Sequence, residues 1–377
     1  MIRRASRRKK RKKWPWLGML LCITMIFTGV FLWRSPQYLQ TEAFIKEHMT
    51  NGNGTLATYL TAEDSGASEA AKGREALSES MGLWLQYGAE KKDEDLFRQS
   101  AASLKAHFIG PEGLVYWKLT PEGKTLVSTN ALVDDLRLVD ALYSGYSLWG
   151  KEEYARMAQS IGQANGKYLA VDGMLVDFYD LKYKNHPDFL TLAYICPSTV
   201  QKLVSQGIFT EELGAATENL LATIPNDGIF YPKQYQLKTK KTVYEPVVNL
   251  VEQLYIMQHR RQLGLSSDPL YGFLRQEFYS KGVIYGTYDR ISRQPPQPFE
   301  SPAVYGLVIL AALEQEDRQF ALDVYKKMVS FRVTSGMYKG GYVSAGNTHV
   351  FDNLYPLLAE FRMYQTIPFF FLQALLK

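Results

Sequence analysis

Acidic residues occur at three widely spaced points where the surroundings are aromatic or apolar rather than charged. These are Glu79 within Leu77-Ser78-Glu79-Ser80-Met81-Gly82, the pair Asp134-Asp135, and Glu245 between Tyr244 and Pro246. Carboxylates gathered from distant segments into one groove are what hydrolysis of a glycosidic bond requires. One must be protonated to release the leaving oxygen, and another must be ionised to activate water.

Each acid also has a plainer explanation. Ser78 suits an N-cap, and Glu79 after it would complement a helix dipole. Yet Met81, Leu83, Trp84 and Leu85 leave that helix little polar surface, so Glu79 should abut a packed wall. Burial there raises a carboxyl pKa against the dipole, as a general acid needs. Asp135 has Leu138, Val139 and Leu142 at i+3, i+4 and i+7, so it shares the apolar face of its helix. Such a carboxylate is either tied into a structural network or lines a cavity, and a cavity is the expectation. Asp134 has Arg137 at i+3 and can form a solvated ion pair. Glu245 precedes a proline that suits the first turn of a helix, which puts it on a connection at a helix mouth. A helix-initiating surface acid would look the same. Among aromatics able to stack on sugar faces, Trp117, Tyr194 and Tyr244 are the binding candidates because they lie in connections or beside these motifs. Tyr179, Tyr231, Tyr235 and Tyr285 are weaker ones.

The elements that must position these residues are helical. Periodicity predicts helices over about 78–91, 93–108, 130–149, 151–168, 190–207, 210–223, 246–263, 267–280, 300–315, 317–333 and 350–376. Short Gly-containing aromatic runs separate the pairs, such as Gly113–Lys118, Asp172–Asp177 and Asp227–Tyr231. Five or six helical hairpins closing into a toroid is the economical all-α architecture. No composition break divides residues 77–377, which read as one catalytic domain. Before it, residues 34–76 read as a juxtamembrane helix over 35–50 and an irregular lead-in.

The N-terminus carries nine Lys and Arg residues between Arg3 and Lys13, within a basic segment over 1–15. An apolar run over 16–33 follows, with Trp16 and Trp33 at its edges. Its length and flanks predict a single-pass transmembrane anchor, N-terminus cytoplasmic and the catalytic domain extracellular. A cleavable signal peptide is the alternative, but no small-x-small site follows, and Met19-Leu20-Leu21-Cys22 lacks the small residue expected before a lipidated cysteine. Ten of the 43 Lys and Arg residues lie at or before Arg34 and none of the 38 acidic ones does, so the exported part is net acidic. Nucleic acid is thereby disfavoured as a partner. Cys22 and Cys196 supply no disulfide framework, and the exported part must rely on one large core. The five histidines are scattered without metal spacing, and no nucleophile elbow, phosphate loop or dinucleotide fingerprint occurs, so neither metal nor cofactor is expected.

From Ser78-Glu79 to Phe97 the chain resembles the family 8 glycoside hydrolases, inverting enzymes on an (α/α)6 barrel. Their signature has Ser-Glu-Gly with the Glu as general acid; here Ser80 replaces the Gly. Asp135, Leu138, Ala141, Leu142, Gly145 and Trp149 keep the register of a second signature, whose first Asp falls on Val133 and whose small residue falls on Asp134. Tyr194-Ile195-Cys196-Pro197 is similar to the family's Tyr-x-x-Pro segment, and Tyr244-Glu245-Pro246 to its Tyr-Asp-Ala segment, where the Asp is the base. The resemblance implies that Glu79 protonates the glycosidic oxygen, Glu245 activates water, and Asp135 or Asp134 holds the distorted sugar. Inversion implies that the Glu79 and Glu245 carboxyls lie about 6.5–9.5 Å apart. The departures suggest a branch found beside exopolysaccharide synthesis systems, so the expected partners are a polysaccharide and that machinery. A catalytically inactive polysaccharide-binding or export accessory on the same fold is the rival reading. A polysaccharide lyase is a third, disfavoured by the lack of a basic cluster for uronates.

Overall fold

The computed structural model describes residues 36–62 and 71–367. Twelve α-helices run through them: α1 (Tyr38–His48), α2 (Ser78–Lys91), α3 (Glu94–His107), α4 (Leu132–Trp149), α5 (Glu152–Tyr168), α6 (Pro197–Ser205), α7 (Glu211–Thr223), α8 (Leu250–Gln262), α9 (Asp268–Lys281), α10 (Pro302–Glu314), α11 (Arg318–Val329) and α12 (Phe351–Thr366). The even-numbered helices form a closed inner ring, each packed on the next, with α12 returning to α2. Their sequences explain the position. From Ala303 to Ala312 every residue of α10 is buried, so that helix has no face to offer to water. Gly306 lets it approach α12, because a Cβ there would stand 2.7 Å from the Tyr355 carbonyl carbon. The toroid expected from the hairpin count is the fold observed.

The outer layer packs α3 on α2, α5 on α4, α7 on α6 and α11 on α10. Helix α9 joins it through Phe273, edge-on to Phe230 and Tyr288, and through Tyr271 against Phe320. The sixth outer place, beside α12, is filled by α1 from the segment expected to lead into the domain. Thr41 Oγ1 donates to Glu360 Oε2 at 2.8 Å, and Tyr87 donates to Glu42 Oε2 at 2.6 Å. Phe44, 2 % exposed, lies so close to Gly341 that a Cβ there would meet its ring at 2.6 Å. Glu360 also accepts from Arg332 (2.9 Å) and Tyr342 (2.7 Å), so this buried carboxylate has the donors it requires.

Short strands occupy the connections that enter the inner helices. β1 (Ala76–Leu77) pairs with β2 (Lys118–Leu119), and β3 (Ala170–Val171) with β4 (Met174–Leu175). β5 (Phe189–Thr191), β6 (Gln234–Gln236) and β7 (Lys241–Val243) make a three-stranded sheet, and β8 (Val247–Asn249) pairs with β9 (Thr287–Asp289); all pairings are antiparallel. Two predicted helices are shortened by them. The span expected as helix from 190 becomes β5, a 3-10 turn at Leu192–Tyr194, and α6 with Pro197 in its first turn. The helix expected from 246 begins at Leu250, because Val247–Asn249 pair as a strand and Asn249 Oδ1 caps the Val251 N–H at 3.0 Å. The end of the helix expected over 350–376 and the anchor expected over 16–33 lie outside the described residues. Among the described residues, no helix is long and apolar enough to cross a membrane.

Replacing Phe44 by alanine should remove a buried ring from the seam that closes the outer layer, at a loss of about 3–5 kcal/mol. Urea unfolding of the full chain checks this; a loss under about 1 kcal/mol would show that α1 is not part of the core.

Candidate active site

Residues at the starts of α4, α6 and α8 surround a cleft of about 450 Å³, whose lining includes Trp117, Asn130, Asp177, Tyr194, Lys233 and Glu252. The start of α2 adjoins it, since the Ser78 amide donates to the Trp117 carbonyl at 3.0 Å. Glu79 therefore sits in the first turn of α2 beside the cleft, with 26 % of its side chain exposed. Ser78 Oγ donates to Asp134 Oδ2 at 2.7 Å, which fastens α2 to α4. Arg137 reaches back from α4 with Nη1 3.4 Å from Asp134 Oδ1 and 3.9 Å from Glu79 Oε1. Gly82 makes room for it, because a Cβ there would stand 3.0 Å from Arg137 Cδ.

These contacts set the protonation of Glu79. Burial raises its pKa to about 7, the nearby Asp134 carboxylate adds to the rise, and Arg137 opposes it. Burial also raises Asp134, against Arg137 and the Ser78 hydroxyl. Two carboxylates beside one guanidinium resist ionising together, so one proton is retained near neutrality. Arg137 also lies 5.5 Å from the Tyr255 ring centroid, and the hydroxyls of Tyr255 and Tyr355 are hydrogen-bonded, linking α8 to α12.

Tyr194 joins the two halves of the site. Burial pushes its phenol well above the ordinary range, and the charges of Asp177, Asp134, Glu252 and Glu79, in that order, add to the effect. Four carboxylates from α2, α4, α8 and the connection after β4 thus act on one phenol. Asp177 accepts from the Thr191 amide and hydroxyl, both at 2.6 Å, and burial lifts its pKa to about 6. Glu252 has Lys233 Nζ 3.4 Å from Oε1, while its buried Oε2 has no hydrogen-bond partner.

The expected residues divide accordingly. Trp117 and Tyr194 line the cleft, and Glu79 and Asp134 stand together beside it at the starts of α2 and α4. Asp135 does not reach it: the residue is fully buried, its Oδ2 accepts from Asn130 Nδ2 at 2.7 Å, and burial pushes its pKa well up. Asn130 in turn takes the Tyr179 amide at 2.7 Å. The cavity expected around Asp135 is thus a structural network behind the wall, and Asp134, expected as a solvated ion pair, is the buried partner of Glu79. Glu245 and Tyr244 also lie outside the cleft lining. Arg290 Nε donates to the Glu245 carbonyl at 2.7 Å and Nη2 lies 3.8 Å from its carboxylate, whose oxygens are buried without hydrogen-bond partners. Tyr244 donates to the Pro225 carbonyl at 3.0 Å, with Arg290 5.2 Å from its ring centroid.

Sequence reasoning missed Asp177 and Glu252. A signal existed for the second: Asn249 and Glu252 hold the N-cap and N3 spacing of a capping box, which marks a helix start four residues after Pro246. Asp177 ends one of the short connections and carries no such mark. Among the described residues, no group of three or more His, Cys, Asp or Glu side chains is placed to hold a metal ion.

No family model matches the chain. The Bacillus subtilis (strain 168) protein named "Putative lipoprotein YdaJ" is 32 % identical over 326 residues, covering 86 % of each chain. Among solved structures, a novel alpha-amylase from Clostridium perfringens superposes with a TM-score of 0.78 at 21 % identity, over 86 % of this chain and 97 % of that one. PssZ from Listeria monocytogenes gives 0.70 at 25 % identity, over 86 % and 95 %. The endoglucanase Cel10 of Klebsiella pneumoniae, a family 8 glycosyl hydrolase, gives 0.59 at 13 % identity, over 86 % and 99 %. By sequence the chain belongs to the family of the Bacillus subtilis relative, and its fold is similar to that of the family 8 glycosyl hydrolase Cel10.

Proposed function

We propose that the chain is an inverting glycoside hydrolase acting on a polysaccharide. The sharing of Arg137 by Glu79 and Asp134, beside a cleft lined by Asp177, Tyr194 and Glu252 at the head of a closed helical ring, carries this reading. Glu79 is the general acid, its pKa of about 7 keeping a large share protonated near neutrality and able to pass the proton to the leaving oxygen as the C1–O bond breaks. Asp134 holds the sugar beside it, and Trp117 offers a ring face to the chain. The ionised partner that activates water comes from the acidic wall of Asp177 and Glu252, with Glu245 behind them.

The groove's shape supports action within a chain rather than at its end. A second hollow of about 250 Å³, at the starts of α8, α10 and α12, is lined by Phe299, His349 and Phe351 among others. The two hollows flank the line from α2 to α8, which leaves room for sugars on both sides of the scissile bond. Membrane attachment with the catalytic domain outside the cell fits the basic and apolar N-terminus, and the name of the Bacillus subtilis relative describes a lipoprotein. We propose accordingly that the substrate is a polysaccharide the cell exports, handled near the machinery that makes it. The rival reading, a binding or export accessory without activity, draws on Val133 and Glu245 standing where family 8 enzymes carry Asp.

Glu79→Gln should abolish reducing-end release from whichever of soluble starch, carboxymethylcellulose and xylan the native chain cleaves best, with its circular dichroism unchanged. Full activity would remove Glu79 from the mechanism, and glycan binding without cleavage by the native chain would favour the accessory. Because Glu79 must carry its proton, kcat/KM should fall as pH rises through about 7; a plateau to pH 9 would contradict this acid. Trp117→Ala should raise KM about tenfold, equivalent to roughly 1.4 kcal/mol, with kcat within a few-fold. An unchanged KM would place the sugar elsewhere.

A further inference from the structure

We infer that Glu252 is the general base of the reaction, a role that sequence resemblance assigns to Glu245. The inference rests on the hydrolase reading above and decides what that reading leaves open. Passing round the inner ring, α8 lies three places from α2 in either direction, so the first turn of α8 faces the first turn of α2 across the axis. An inverting mechanism needs acid and base on opposite faces of the sugar with a water between one of them and C1. Glu252 and Tyr194 line the cleft beside which Glu79 stands, and the charges of both glutamates raise the Tyr194 phenol.

The carboxyl group of Glu252 is arranged for the task. Lys233 lies 3.4 Å from Oε1, and the buried Oε2 is left as an acceptor without a partner. Burial raises its pKa, which strengthens it as a base, and Lys233 restrains the rise. Asp177 is less suited, because Thr191 already donates to each of its oxygens. Glu245 is less suited again: it precedes β8 rather than opening α8, and Arg290 holds its carbonyl at 2.7 Å and lies 3.8 Å from its carboxylate. In the step itself, the water oxygen bonds to C1 as the C1–O bond to the leaving sugar breaks. Glu252 takes the water proton and Glu79 gives its own to the departing oxygen.

Azide separates a base from other necessary residues, since this anion attacks C1 without having a proton to lose. Reducing-end release and glycosyl azide formation would be measured for Glu252→Ala, Glu252→Gln, Asp177→Ala and Glu245→Ala, on the best-cleaved of the three polysaccharides. The expected result is a loss of about 10²–10⁴-fold in both Glu252 variants. In Glu252→Ala, azide should restore turnover and yield the glycosyl azide of inverted configuration. Azide rescue confined to Asp177→Ala or Glu245→Ala overturns the assignment, as does near-native hydrolysis by Glu252→Gln. An inactive Glu79→Gln beside an active Glu252→Gln refutes this inference alone. A native chain that cleaves none of the polysaccharides refutes the hydrolase reading and this inference together.

Discussion

The site depends on one buried arrangement, two carboxylates and a guanidinium shared between α2 and α4. Glu79 and Asp134 crowd the same guanidinium, and burial together with their mutual repulsion opposes ionising both. Energy that full solvation would have released is thereby held in a protonated acid at neutral pH. The same contacts constrain the fold. Asp134 takes the Ser78 hydroxyl, Arg137 passes over Gly82, and the two helices are locked in the register that aims Glu79 at the cleft.

Around that pair the ring does what a single helix cannot. The starts of inner helices border both hollows, so N–H dipoles favour negative charge where substrate oxygens and carboxylates gather. Burial overrides this at Glu79, whose pKa rises despite its place in the first turn of α2. Contacts among Arg137, Tyr255 and Tyr355 tie α4, α8 and α12 together. Rigidity comes from closure: α1, placed before the first inner helix in sequence, packs against the last and completes the outer layer. A carboxyl held on such a ring is positioned by packing on both sides, as a general acid must be.

Much of this was legible in the sequence. Helical periodicity located nearly every helix, and the apolar neighbours of Glu79 pointed to its burial. Two failures share a cause, namely that local patterns do not reveal which of two adjacent registers tertiary contacts select. Asp135 lies on the apolar stripe as expected, but the stripe faces Asn130 behind the wall while Asp134 turns toward Glu79. Pro246 looked like a helix start, yet its neighbours pair with β9, and the first turn carries Glu252 instead. Asp177 had no local pattern, because only the fold of β3, β4 and β5 brings it to Tyr194.

The central claim is that residue 79 holds a proton at neutral pH because folding buries it beside Asp134. Carbon-13 NMR of glutamate carboxyls, compared between the native chain and Glu79→Gln, measures that proton directly. The missing resonance should titrate near 7 in the native chain. A midpoint at or below 4.5, the ordinary glutamate value, would contradict the account.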